Sequence, residues 1–259
     1  MKNNFPIIPT STVNSDLGGF FVSENPGVLM PQQQAKKKEA FVSEMRAASA
    51  FHIQPKTKTQ SYLLQCIDQN TMVVCIGPAG TGKTFCSGMK AAQLFMKGGY
   101  DKIVLTRPNI ATGKSLGYFP GTVEEKMEPW LKPLLEVLKD GFGKGRFDCM
   151  VQRGQIEIQP LETIRGRSFE DSIVLIDESQ NLSLAELKAI TTRIGEGSKL
   201  ILLGDPKQSD LNKGNDLIKF VDMCQRHGIE CPIVQFNVDD IVRSDIVMQL
   251  VKMFVREDI

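Results

Sequence analysis

Residues 77–84 read Gly77-Pro78-Ala79-Gly80-Thr81-Gly82-Lys83-Thr84, which satisfies the pattern G-x-x-x-x-G-K-[ST] at every specified position. The flanks agree: the apolar run Met72–Ile76 feeds the loop as a strand, and a helix is expected from Gly82 onward. Glycines let the backbone wrap closely around phosphate with its amide hydrogens pointing inward. The helix N-terminus adds positive potential at the same place. All eight residues are therefore expected to cradle a nucleoside triphosphate, taken to be ATP. Lys83 would reach the β- and γ-phosphates, and the Thr84 hydroxyl would ligate Mg2+.

Outward from the loop, short apolar runs alternate with helical stretches. Strands are expected at Met72–Ile76, Lys102–Thr106, Ile156–Gln159, Ile173–Asp177, Lys199–Leu203 and Ile233–Phe236. Most are continuously apolar, as strands covered on both faces are. Ser183-Leu184-Ala185-Glu186 has the pattern of a capping box and opens a helix with Leu184, Leu187, Ile190 and Ile194 on one stripe. A last helix is expected from about Asp240 to Val255. The alternation implies an α/β fold, a mostly parallel central sheet flanked by helices with right-handed crossovers.

A magnesium nucleotide needs an acid on a neighbouring strand. The run Ile173-Val174-Leu175-Ile176 ends in Asp177-Glu178, at the carboxyl end of a strand where open α/β sheets bind ligands. Asp177 is expected to coordinate the metal and Glu178 to orient or activate water. The next apolar run ends in Gly204-Asp205-Pro206-Lys207-Gln208, which places Gln208 where a side chain can sense the γ-phosphate; a solvent-exposed turn is the alternative.

Composition narrows the remainder. With 259 residues, 41% hydrophobic and 24% charged, the chain has the balance of a soluble globular protein. It has no apolar run of the roughly 20 residues a membrane helix needs. The opening Met1-Lys2-Asn3-Asn4-Phe5-Pro6 has no signal-peptide character, so a cytoplasmic location is expected. A net charge of +1 means that any polyanion must be held by local patches. The six cysteines include no Cys-x-x-Cys pair and read as reduced core thiols, while His52 and His227 stand too far apart to suggest zinc. Residues 1–50 read as a partly flexible arm rich in proline and polar runs, with a short helix from Lys38 to Phe51; residues 51–259 hold the compact domain.

Several stretches taken together resemble the PhoH-like ATPase family. They are Gly77–Thr84, Thr106-Arg107-Pro108, Leu116–Gly121 with Glu125-Lys126, Arg165-Gly166-Arg167, Ile176–Asn181, Gly204–Gln208 and Asp240-Ile241-Val242-Arg243. They run in the family's order from about Lys56 to the C-terminus. The resemblance implies a single RecA-like core related to superfamily I helicases, ring oligomers that are commonly hexamers, links to phosphate starvation, and action on RNA or single-stranded DNA. It makes Gln60, after Lys56-Thr57, similar to an adenine-reading glutamine, and Arg243, on the last helix, a candidate arginine finger supplied across a subunit boundary. It also sets Arg107 where relatives contact a nucleic-acid backbone. For Arg165 and Arg167 a γ-phosphate, a nucleic-acid phosphate, an intersubunit salt bridge and a plain surface position all stay open. Tyr118, Phe119 and Trp130, among the prolines of an insertion after the second strand, suit either base stacking or local packing. The short form also resembles phage-encoded members, whose location would be the host cytoplasm, and shows no nuclease domain.

The expected function is thus ATP binding and hydrolysis, directed at single-stranded RNA or DNA. A nucleotide-dependent switch or scaffold for protein partners is the alternative. Glu178 argues against a kinase, and Asn212-Lys213-Gly214-Asn215 lacks the aspartate that would read guanine.

Overall fold

The apolar runs become six strands: β1 (Met72–Ile76), β2 (Lys102–Thr106), β3 (Ile156–Ile158), β4 (Ser172–Ile176), β5 (Lys199–Gly204) and β6 (Ile233–Gln235). They form one sheet in the order β3-β2-β4-β5-β1-β6, with every pairing parallel. The structure, a computed structural model, describes residues 53–108, 123–164, 166–208 and 215–256. All of these fall within one unit, Val42–Ile259. The triple lysine, the expected helix from Lys38, residues 116–121 with Tyr118 and Phe119, residues 212–214 of the GTPase-like stretch, and Arg165 lie outside the described residues.

The helices are α1 (Lys58–Gln69), α2 (Lys83–Lys97), α3 (Val123–Phe142), α4 (Lys144–Gln152), α5 (Leu161–Ile164), α6 (Leu184–Thr191), α7 (Asp216–Arg226) and α8 (Asp245–Arg256). Because a strand turns successive side chains to opposite faces, each central strand feeds two cores. Val73, Cys75, Ile103, Leu105, Ile173 and Leu175 pack under α1 to α4. Val74, Val104, Val174, Ile176, Leu200 and Leu202 face α5 to α7. That double burial is why these runs read as unbroken hydrophobic sequence. Among the described residues no helix is long and apolar enough to cross a membrane.

The register decides where chemistry can gather. Ile76 lies opposite Gly204, and Thr106 opposite Ile176. The strands carrying the glycine loop, Arg107, the acid pair and Asp205 therefore end together at one edge, the carboxyl edge of the sheet.

One expectation needs correction. The last helix begins at Asp245, not Asp240. Before it, Val238–Asp240 forms a 3-10 turn closed by its own side chains: Asn237 N–H donates to Asp240 Oδ2 (3.1 Å) and Asp239 N–H to Asn237 Oδ1 (2.8 Å). Those bonds satisfy the turn locally and stop it, leaving Arg243 in the connection ahead of α8. The segment after β2 also holds a 20-residue helix, α3, with Pro129 and Pro133 inside it. Both prolines are exposed, while Met127, Leu131, Leu134, Leu135 and Leu138 bury the opposite stripe. Packing of that stripe against α2 outweighs the helical hydrogen bonds that proline removes.

Gly77 marks the tightest point of the frame. Its φ is +143°, and a Cβ placed there would sit 2.5 Å from the Phe236 carbonyl oxygen and 2.6 Å from Phe236 Cβ. Gly77→Ala is expected to destabilise the fold by about 1–3 kcal/mol, read as a lower urea midpoint with an unchanged slope.

Candidate nucleotide site

The loop leaves β1 through Gly77, whose N–H donates to Gly204 O (3.1 Å). It enters α2 through Gly82, left-handed at φ +86°. Positive φ at Gly77, Gly80 and Gly82 gives the loop a curvature that side-chain-bearing residues rarely adopt. Lys83 folds back across it, donating to Gly77 O (2.6 Å) and Pro78 O (2.8 Å). Burial pushes the Lys83 ammonium below its usual range, while Cys75, Asp205, Asp177 and Glu178 pull it back up. Lys83 is thus electrostatically tied to all three acids at the strand tips. Thr84 follows it in the first turn of α2, half-buried.

Gln60 supports the loop from behind. The residue is 3% exposed, and its Nε2 donates to Thr81 O (2.9 Å) while its Oε1 accepts from Lys56 N–H (2.7 Å). Thr57 caps α1 by accepting from Gln60 N–H (3.1 Å). Both ends of the Gln60 amide are therefore engaged by protein backbone, which makes it a brace of the loop. Val242 adds a second support, its N–H donating to Gly80 O (3.0 Å). Arg243 lies along the same crest: a Cβ on Gly80 would be 3.0 Å from Arg243 Cγ and 3.3 Å from its Nε.

The acid pair stands across from the loop. Asp177 N–H donates to Thr106 O (3.1 Å), which fixes the tip of β4 to that of β2. Burial, and after it the charge of Glu178, raises the Asp177 carboxyl above the usual carboxylate range. Burial likewise raises Asp205. Glu178 adopts φ +53°, a left-handed conformation uncommon for a residue with a side chain. Its Oε2 accepts from Gln180 Nε2 (2.6 Å), and its Oε1 lies 3.6 Å from Arg107 Nη2.

A cross-stitch between β4 and β5 holds this arrangement. Gln180 Oε1 accepts from Asp205 N–H (3.0 Å), and Ser179 Oγ donates to Leu203 O (2.7 Å). Gln208 ends the 3-10 turn Pro206–Gln208 beyond β5, its N–H donating to Asp205 O (2.9 Å) and its side chain exposed. Ser179, Gln180 and Asp205 are the contributors that motif reading passed over. All three sit inside the quoted motifs, yet only the fold shows that one motif's side chains bond the other's backbone.

The arginines divide. Arg107 belongs to the site, donating to Trp130 O (3.1 Å) on α3 while facing Glu178. Arg167 pairs with Glu157 Oε2 (3.1 Å) beside Lys102 on the β2–β3 side, away from the loop. Trp130 enters through its backbone carbonyl. The buried cysteines behave as inert thiols: burial raises Cys75 and pushes Cys86 up to about 11.

Mg2+ fits these residues. No cluster of three or more His, Cys, Asp or Glu side chains able to hold a metal occurs among the described residues. Mg2+ at phosphate sites needs only one or two protein oxygens, since phosphate and water supply the others. Thr84 and Asp177 are oxygen donors of that kind. The desolvated acids Asp177 and Asp205 present negative charge that a cation would offset.

A phosphate loop running from a central parallel strand into a helix, opposite an acid-tipped neighbouring strand, defines the P-loop NTPases, and this chain is one. Within that class it belongs to the PhoH-like protein family, whose sequence profile matches residues 52–255. It is 35% identical to the PhoH-like protein of Bacillus subtilis strain 168 across 93% of this chain and 77% of that one. The PhoH-like protein of Mycobacterium tuberculosis H37Rv is 37% identical over 79% of this chain and 58% of its own length. Protein PhoH of Escherichia coli K12 is 33% identical over 73% of this chain and 54% of its own. Several relatives are thus covered over little more than half their length. The large terminase of a thermophilic bacteriophage shares the fold, with a TM-score of 0.51 over 77% of this chain and 50% of that one at 13% identity.

The raised Asp177 carboxyl carries a stability consequence. Its folded pKa lies above the unfolded value of about 3.9, so charging it disfavours the native state as pH rises through that interval. Asp177→Asn is expected to raise the thermal midpoint at neutral pH, with the gain vanishing below about pH 4 where both states are protonated. Calorimetry from below that pH to neutrality checks this; a midpoint lowered at neutral pH contradicts it.

Proposed function

We propose that this chain binds ATP with Mg2+ and hydrolyses it, working as a homo-oligomeric ring, hexameric in the family manner, on single-stranded RNA or DNA. One observation carries the reading: the parallel register ends β1, which feeds the glycine loop and Lys83, at the same edge as β4, which carries Asp177-Glu178, and β5, which carries Asp205. A loop that binds phosphate and a strand tip that supplies acids therefore address one volume.

In this reading the amides of residues 77–82 and the N-terminus of α2 receive the phosphates, and Lys83 exchanges its loop carbonyls for phosphate oxygens. Thr84 and Asp177 hold Mg2+, which when bound offsets the charge of the phosphates. Glu178 accepts a proton as a water oxygen bonds to the γ-phosphorus and the bond to the ADP oxygen breaks. Gln180 keeps the Glu178 carboxylate oriented, and Gln208 approaches the γ-phosphate from the tip of β5. Arg107, beside Glu178 and exposed on one side, is the group through which a nucleic-acid phosphate would reach the site; Arg165 and Arg167 are further candidates for contacts with nucleic-acid phosphate.

A single RecA-like lobe offers one wall of a cleft, so work on a polymer calls for a neighbouring copy. The apolar face of α8 supports such association: Ile246, Leu250, Met253 and Phe254 are all exposed. The same face favours the second reading, a nucleotide-dependent switch that engages a protein partner.

Lys83→Ala is expected to weaken binding of a labelled ATP analogue at least about tenfold, from loss of a charge-assisted phosphate contact. Glu178→Gln is expected to keep that binding while turnover falls about 100-fold or more. Turnover should rise when single-stranded RNA or DNA is added. A flat response to every polymer removes the nucleic-acid role and leaves the switch; unaltered turnover in both variants removes the ATPase.

A further inference from the structure

The geometry points to Arg243 as a phosphate-binding residue that acts on the nucleotide of its own subunit, in place of a finger reaching into a neighbour. The inference deepens the proposed ATP site and rests on that reading. It starts from the path of the chain after β6. Phe236 N–H donates to Ile76 O (2.8 Å), and the Phe236 backbone then presses against Gly77. The Asn237–Asp240 turn closes on itself, with Asp240 buried. Ile241 is buried in turn, and Val242 donates its N–H to Gly80 O (3.0 Å) while its Cγ2 lies 3.8 Å from the Cβ position of Gly82. These successive contacts lay the segment along the outside of the chain's own phosphate loop.

Arg243 is the next residue, and its stem continues the line. Its Cγ, Nε and Cδ lie 3.0, 3.3 and 3.7 Å from the position a Cβ would take on Gly80. At φ +83°, residue 80 is in the left-handed region that favours glycine, and the absence of a Cβ leaves room for the arginine stem. The guanidinium head starts at Nε, so it is held within a few ångströms of the loop crest. Among the described residues Arg243 has no hydrogen bond and no ion pair, although most other charged groups at the strand tips are engaged. Arg243 is exposed, so its guanidinium is free to turn toward a ligand, and its planar set of donors matches phosphate oxygens.

Those contacts set the guanidinium beside the loop that would hold the chain's own nucleotide. The proposed role is therefore binding in cis: Arg243 adds positive charge beside the Gly80 crest of the loop.

The test compares wild type, Arg243→Ala, Arg243→Lys and Lys83→Ala in equilibrium binding of a fluorescent ATP analogue. Protein concentrations should span those below and above self-association, as measured by light scattering. Binding in cis predicts that Arg243→Ala weakens affinity about tenfold at every concentration, with partial recovery in Arg243→Lys. Mixing Arg243→Ala with Lys83→Ala chains should then give turnover no higher than the sum of the two. Unchanged affinity in Arg243→Ala overturns the inference, as does a defect confined to the associated state or turnover restored by mixing. Failure of the wild type to bind the analogue, or full binding by Lys83→Ala, instead overturns the ATP site itself.

Discussion

Backbone crowding around Gly77 is the constraint on which the rest of the structure depends. A parallel sheet brings the exits of β1, β5 and β6 to one edge, and the loop must leave β1 between two neighbours. It does so with its amide on Gly204 and its Cα against Phe236. No side chain fits there, and no ordinary φ turns the chain far enough. Once that corner is made, the loop is pinned from three directions: by Gly204 below, by Gln60 behind through Thr81, and by Val242 above through Gly80. The loop arrives preorganised, its inner amides ready for anions because its outer carbonyls are already occupied.

The electrostatics follow from the same crowding. Asp177, Asp205 and Lys83 are all carried away from water, and burial disfavours the charged form of each. Their mutual attraction compensates only in part. The strand tips therefore hold charge at a cost in native stability, and a bound magnesium nucleotide would relieve that cost from both sides. Glu178 shows a related compromise in backbone form. Its left-handed conformation is sustained because Gln180, itself fixed to Asp205 across the β4–β5 gap, holds the carboxylate in place.

Much of this was legible in residue order, and the exceptions have physical reasons. Doubly buried strands announce themselves as continuous apolar runs, and every strand lies within a residue, at each end, of the run that announces it. Glycine spacing identified the loop because few other functions require that density of unusual φ. Pro129 and Pro133 weaken the helical signal of α3, since proline disfavours a helix interior even where it sits on the exposed side of a well-buried stripe. The start of α8 was misplaced because Asp240 resembles a helix cap while committing its carboxylate to the preceding turn. Pairings between motifs were the least visible. Nothing in the order of residues says that Gln180 would bond Asp205, that Arg107 would face Glu178, or that Gln60 would bond the loop through Thr81.

The connection from the loop crest to α8 is short. Between Val242, hydrogen-bonded to Gly80, and Asp245, the first residue of the helix, only Arg243 and Ser244 intervene. Fully stretched, that tether spans about 10 Å. Lys252 on the helix lies 3.5 Å from Asp239 of the same turn, an exposed ion pair. The terminal helix therefore starts within a two-residue tether of the Gly80 peptide, so a tilt of the helix larger than that tether allows must be absorbed at the loop crest, like a crank fixed directly to its shaft.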